Sequence, residues 1–150
     1  MPLIGENACY MVPHQGQIQF VSVANPGNLA PIFYTIPPNR CYLFSTLYVA
    51  AFTNATVANR YFRLQIETDT GRTIWRWRNN IAQTASLDLY YTFNRRNGNL
   101  NNFHNDALYC GPLPEIWLLA GTVITIDMQG WVTTDHLYGC RLTFAVYNIT

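Results

Sequence analysis

The chain has 150 residues and a net charge of +1, and only 11% of its residues are charged, against roughly a quarter in ordinary soluble domains. This near-neutral balance argues against a protein that binds nucleic acid through its phosphate backbone. No stretch approaches the roughly 20 apolar residues that span a bilayer, and the first residues lack the basic and apolar regions of a secretory signal.

The composition resembles that of a surface covered by partners. The chain contains no lysine, its nine basic residues are all arginine, and aromatic residues make up 15% of it. Contact surfaces between proteins are depleted of lysine and glutamate and enriched in Tyr, Trp, Phe and Arg. We therefore expect much of the exterior to be buried against other copies or other proteins.

Strand-like runs follow one another along the chain, separated by prolines, glycines and asparagines. They alternate apolar with polar residues or are rich in aromatic and β-branched ones. They cover residues 17–20, 32–36, 41–53, 60–67, 72–78, 86–94, 107–110, 122–128 and 140–149. No window of a dozen residues has helical periodicity. The pattern predicts one all-β domain over residues 1–150, an antiparallel β-sandwich or barrel of about eight strands.

Three runs predict where the core lies. The first is a half-buried strand in which Ile18 and Phe20 form the apolar face. The run over 41–53 is apolar on both faces, so it is either a central strand covered on both sides or a strand with one face under a partner. In the last run, alternation turns Leu142 and Phe144 toward the core.

The clearest hairpin lies between Arg60 and Arg78, with a turn at 69–71. Its apolar side chains share one face, and these are Phe62, Leu64, Ile66, Trp75 and Trp77. Three arginines share the opposite face, and these are Arg63, Arg76 and Arg78. Because tryptophans and arginines lie on opposite faces, they do not form one platform for stacking bases. We expect the arginines to pair with carboxylates across a protein interface.

The segment 94–106 contains six asparagines and a glycine, a composition typical of a loop. A loop of this length is either a contact loop or a long connection. Its Arg95, Arg96 and Phe103 are candidate interface residues. The proline-containing segment 1–16 is a possible extended N-terminal arm that reaches neighbouring subunits.

The four cysteines lie far apart and form no C-x-x-C pair. They are Cys9, Cys41, Cys110 and Cys140. Three disulfide connectivities are possible. Because no secretory signal is recognised, we expect four reduced thiols.

No motif for catalysis stands out. The acid–base candidates worth naming are Asp88, Glu115, Asp127, Asp135 and His136, but neighbouring side chains on a strand point to opposite faces. The three histidines lack metal-ligand spacing, and no G-x-S-x-G motif or glycine-rich phosphate loop occurs. We expect no enzyme, no catalytic residue, no metal and no cofactor. The ten tyrosines are spread along the strands, which favours core or interface positions over a glycan site.

A resemblance to a known group of proteins rests on two segments. Residues 113–124, Leu-Pro-Glu-Ile-Trp-Leu-Leu-Ala-Gly-Thr-Val-Ile, and residues 63–75 together resemble small virion proteins of tailed bacteriophages, which often carry an "LPxxWLPAG" element before an isoleucine-containing strand. The resemblance covers about residues 60–150, and Leu119 stands where the element has its second proline. It implies a jelly-roll subunit that decorates or cements the capsid, or sits at a head–tail junction.

The first of these segments has the residues of a structural corner. Pro112 and Pro114 fix φ on either side of a turn, Trp117 gives a large apolar anchor, and Gly121 allows a sharp entry into the next strand. Because any β-sandwich needs such a corner, the segment can also be explained as an ordinary structural corner, independently of the resemblance.

These observations predict a non-enzymatic virion structural protein that stabilises the phage head by self-association and by binding the capsid shell. Its partners are then the major capsid protein or other virion subunits and further copies of itself, without nucleic acid or membrane. Its location is the virion, assembled in the host cytoplasm. The alternatives are a head–tail junction or fibre-associated subunit, a carbohydrate- or receptor-binding β-sandwich module, and a small β-sandwich enzyme.

Overall fold

The computed structural model describes residues 17–95, 104–105 and 108–148, and every regular element in these ranges is a β-strand. The strands are β1 (Gln17–Ser22), β2 (Ile32–Thr35), β3 (Arg40–Phe52), β4 (Tyr61–Glu67), β5 (Thr73–Arg78), β6 (Asp88–Asn94), β7 (His104–Asn105), β8 (Leu108–Pro112), β9 (Trp117–Leu118), β10 (Val123–Gln129) and β11 (His136–Asn148). Within these ranges no helix is long and apolar enough to cross a membrane.

Eight of the strands form two opposed sheets with jelly-roll topology. One sheet has the order β1-β11-β3-β6 and continues into β8 and β7, while β9 pairs with β3. The other has the order β2-β10-β4-β5. Among these eight strands the first pairs with the last and the second with the last but one, which is the strand order of a jelly roll. The prediction of an all-β sandwich of this type is confirmed.

The connection between β6 and β10 holds the three remaining strands and departs from the prediction in two ways. β8 pairs with β6 in parallel, so the sandwich is not purely antiparallel. Pro112, predicted within a turn, is instead the last residue of β8, opposite Asn94. In the described part of the chain, β7 pairs with β8 at Leu108 and Tyr109, so Pro112 lies beyond the residues that β7 pairs with, and proline is tolerated at the edge of a sheet.

The core between the sheets is rich in aromatic rings. Phe62 of β4 stacks on Tyr91 of β6 with ring centroids 4.0 Å apart, and Trp77 of β5 meets Phe93 of β6 edge-on at 4.9 Å. Such pairs add about 0.5–1.5 kcal/mol each beyond the burial of their apolar area. The predicted core positions Leu142 and Phe144 of β11 and the apolar face of the hairpin all border this core, so these predictions are confirmed.

The prediction for the first strand is wrong in its phase. Ile18 and Phe20 point to solvent, with 70% and 79% of their surface exposed. Val21 packs against the core instead, and Gln19 accepts a hydrogen bond of 2.9 Å from the buried hydroxyl of Tyr42. Either face of an alternating strand can turn toward the core. In β1 the face that carries Gln19 does so, because the side-chain amide of Gln19 is hydrogen-bonded there.

The expectation of four reduced thiols is also wrong. Cys41 is disulfide-bonded. Cys110 and Cys140 are free, and burial raises the pKa of the Cys140 thiol to about 12. Disulfide formation depends on the distance between Cα atoms in the fold, which spacing along a sequence does not reveal.

Candidate protein interface

The predicted arginine face is the outer surface of the four-stranded sheet. In the β4–β5 hairpin Arg63 lies opposite Arg78, and Gln65 lies opposite Arg76. The turn is closed by Gly71, whose φ of +81° favours glycine and whose N–H donates to the carbonyl of Thr68. The tryptophans point inward and the three arginines outward, so the predicted alternation is confirmed.

Arg63 has a carboxylate partner within its own sheet. Asp127 lies opposite it on β10, and the guanidinium donates from Nε to Oδ1 at 2.8 Å and from Nη2 to Oδ2. The hydrogen bond to Asp127 raises the pKa of Arg63. Asp127, named from sequence as an acid–base candidate, therefore pairs with one of the predicted interface arginines.

Arg76 and Arg78 are exposed and are positioned by neighbours on the same face. Arg76 donates from Nε to Oε1 of Gln65 at 2.7 Å. The guanidinium of Arg78 lies over the ring of Tyr61, 4.0 Å from its centroid, a cation–π contact. Both contacts hold the arginine in place while leaving part of its guanidinium facing solvent. Less side-chain entropy is then lost when a partner binds.

The other interface candidates are not gathered on this face. Arg95 follows β6, in the opposite sheet, and its Nη1 lies 3.7 Å from Oε1 of the exposed Glu115. Arg96 and Phe103 lie outside the described residues, as does the predicted arm over 1–16.

Of the residues predicted to form a corner, Trp117 is in β9 and Gly121 follows it, whereas Pro112 is in β8. Leu118 is fully buried and Trp117 packs edge-on against Tyr147, with ring centroids 5.0 Å apart. Gly121 has a φ of +83°, and a Cβ there would lie 3.0 Å from Cβ of Asp69. The positive φ and this close approach therefore favour glycine at this position.

A shallow depression of about 220 Å³ lies beside this corner. Its lining residues are Thr68, Asp69, Ile74, Trp117, Leu119, Ala120 and Thr122. No tyrosine of the described ranges lines it, so it does not collect the tyrosines that motivated the glycan alternative.

A buried ion pair, which the sequence analysis missed, joins the loops at one end of the sandwich. Arg60 and Asp135 are both fully buried, with Nε and Oδ2 2.8 Å apart. Asp135 also accepts backbone N–H bonds from Asn54 and Val132, and Arg60 donates to the carbonyl of Ala58. We call these five residues the polar lock. The β3–β4 and β10–β11 connections meet in it, so Asp135 has a structural role rather than that of an acid or base.

The ion pair favours the ionised form of the Asp135 carboxyl. Burial raises the pKa of its carboxyl, but hydrogen bonds from Arg60, Asn54 and Val132 outweigh burial, so the pKa is lowered overall.

The lowered pKa predicts a loss of stability in acid. Because the folded pKa lies below the unfolded value of about 3.9, the stabilisation is fully present above about pH 3.9. It is lost as the pH falls through the folded pKa. Unfolding free energies measured between about pH 5 and pH 2 should therefore converge for the wild type and Asp135→Asn. A gap that stays constant down to pH 2 would contradict this assignment.

The remaining acid–base candidates also have structural partners. Asp88 accepts a hydrogen bond of 2.5 Å from the hydroxyl of Tyr138, and the tyrosine's pKa is raised by desolvation and by this hydrogen bond. Nδ1 of His136 lies 2.8 Å from the carbonyl of Thr134. In the described part of the chain, no group of three His, Cys, Asp or Glu side chains is placed to hold a metal ion.

Two solved structures of infectious bursal disease virus show low similarity to this chain. That of the Gt strain has a TM-score of 0.40 and 10% identity, over 93% of this chain and 37% of that chain. That of the Gx strain has a TM-score of 0.38 and 8% identity, over 95% and 41%. The chain thus spans less than half the length of these solved chains. No family model and no curated protein matches it.

Proposed function

We propose that the chain is a non-enzymatic structural subunit of a virus particle, which decorates or cements the capsid by binding the shell and further copies of itself. The observation that carries the proposal is the jelly-roll order of eight strands in the two sheets, an architecture that viral capsid domains share with lectins and cupins. Because one fold serves several functions, the fold alone does not identify the function, and the exposed side chains must be considered as well.

The outer face of the β4–β5 hairpin supports a protein partner. Arg76 and Arg78 are held by Gln65 and Tyr61 in positions that leave them exposed. A guanidinium fork matches a carboxylate better than an ammonium does, and the chain has no lysine. The partner that fits this face is an acidic protein surface, such as one on the capsid shell.

The proposal predicts that the chain is found in purified particles of the virus that encodes it. Mass spectrometry of those particles should detect it, and a copy number close to that of the shell subunit supports decoration. A few copies per particle would favour the head–tail junction or a fibre instead. Absence from the particles would contradict the proposed function.

The arginine face is tested by rebinding the purified chain to particles that lack it. We expect Arg76→Ala/Arg78→Ala to bind at least about 10-fold more weakly, because two contact residues are truncated. The control Arg40→Ala/Arg141→Ala removes the same charge from exposed positions on β3 and β11, in the opposite sheet, and should bind like the wild type. Equal binding of both double variants would contradict the role of this face.

A further inference from the structure

One side of the sandwich is formed by two edge strands. Within the described ranges β1 pairs only with β11, and β2 pairs only with β10. Tyr34 of β2 stacks on Phe144 of β11 with ring centroids 5.4 Å apart, so the two edges lie side by side. We call this surface the β1–β2 side. An open strand edge presents backbone N–H and C=O groups to which another strand can pair.

The four-residue β2 is protected by its shortness, but β1 lacks three devices that keep edge strands from pairing. Those devices are charged side chains, prolines and bulges. Neither β1 nor β2 contains a charged residue or a proline, and β1 pairs with β11 without a register shift. The sequence over 7–39, which includes both strands, contains no Asp, Glu, Lys or Arg.

Two large apolar side chains are exposed together on β1. Ile18 (70% exposed) and Phe20 (79%) both lie on the outer face of this strand, whereas Phe33 of β2 (60% exposed) lies on the outer face of the opposite sheet. Monomeric soluble proteins rarely leave large apolar patches exposed, and such patches mark interaction sites.

We propose that the β1–β2 side pairs with the same side of a second copy of this chain, with the two β1 strands antiparallel about a two-fold axis. This proposal rests on the proposed function and names the surface of its self-association. An uncharged surface forms no ion pairs with a charged partner, whereas a second copy presents an equally uncharged strand edge. Antiparallel pairing about a two-fold axis is self-complementary, and an axis normal to the sheet lets the seven-stranded sheet continue across the dimer.

The geometry limits the register of this pairing. Directly opposite residues of an antiparallel pair lie on the same face, so the axis passes through a residue and not between two. An axis at Gln19 places Ile18 opposite Phe20 of the partner subunit, and an axis at Phe20 brings the two Phe20 rings together. In both registers Phe20 is at the centre of the apolar contact.

The test compares two lysine substitutions at exposed apolar positions. Phe20→Lys places a charge at the centre of the proposed interface, while the control Val57→Lys places one on a side chain that is 91% exposed in the β3–β4 connection. Both lysines remain in solvent in the monomer, so both variants should fold. By sedimentation equilibrium we expect a dimer for the wild type and for Val57→Lys. For Phe20→Lys the dissociation constant should rise at least about 100-fold, because the central contact is lost from both copies.

Hydrogen exchange of the unmodified chain gives a second readout that needs no variant. Amide protection within 17–22 should increase with protein concentration. A wild type that is monomeric at all concentrations, equal dimerisation of the two variants, or protection independent of concentration would each overturn the pairing. Presence in particles without dimerisation overturns this inference alone, and dimerisation through β1 without presence in particles overturns the virion role alone.

Discussion

Replacing Asp135 by Asn is expected to lower the free energy of unfolding by about 3–5 kcal/mol. The carboxylate accepts four hydrogen bonds, two from Arg60 and one each from the N–H groups of Asn54 and Val132. Without it, the Arg60 guanidinium is a buried charge with no counter-ion. Urea unfolding followed by tryptophan fluorescence measures the loss.

Two further variants test whether the loss of stability comes from leaving the Arg60 charge buried without a partner. Arg60→Met/Asp135→Leu removes both charges and should be more stable than Asp135→Asn, because no unpaired charge is left buried. Asp88→Asn removes an exposed carboxylate that accepts one hydrogen bond from Tyr138 and should change stability by at most about 1 kcal/mol. If Asp135→Asn is no less stable than Asp88→Asn, the polar lock does not stabilise the fold.

Replacing Gly130 by Ala is expected to destabilise the protein by about 2–5 kcal/mol. Gly130 follows β10 with a φ of +77°, and an added Cβ would lie 2.4 Å from the backbone carbonyl oxygen of Asn59. A positive φ costs about 1–2 kcal/mol for a residue with a Cβ, and displacing packed backbone costs a further 1–3 kcal/mol. Thermal unfolding measures the change.

Gly71→Ala is the matched control for this substitution. Gly71 has a similar φ of +81°, but a Cβ there would meet nothing within 4 Å. It should therefore show only the conformational cost of about 1–2 kcal/mol. Equal losses for the two variants would mean that the close approach to Asn59 does not contribute.

The predictions that succeeded depend on local patterns. Alternation along β4 and β5 places tryptophans and arginines on opposite faces, and a glycine in the turn closes the hairpin. The phase of β11 follows from Leu142 and Phe144 in the same way. In these strands the apolar residues clearly occupy one face, so period two alone determines which side is buried.

The predictions that failed depend on contacts between distant parts of the chain. Arg60 and Asp135 are 75 residues apart and meet only because two loops converge. The inner phase of β1 depends on Tyr42, whose hydroxyl satisfies Gln19. The parallel pairing of β8 is a further non-local contact. No local pattern carries this information.

The candidate interface was predicted in part for the same reason. Alternation located Arg63, Arg76 and Arg78 on the outer face, but the pairing of Arg63 with Asp127, 64 residues away, depends on the register of β10 against β4. The contact of Arg78 with Tyr61 lies within the hairpin, where register follows from the turn. That contact was in principle predictable from the alternation.

The pairing of β3 with β11 has a consequence for synthesis. β3, a 13-residue aromatic-rich strand, lies between β6 and β11, and β11 is the last of the described strands. Because ribosomes add about 5–20 residues per second, β3 is synthesised several seconds before β11, its neighbour in the sheet. During that time its edge is open and its inner face, with Tyr42 and Phe44, is incompletely covered. Folding dominated by such non-local pairing is slow, so the nascent chain is most prone to aggregate before β11 has left the ribosome.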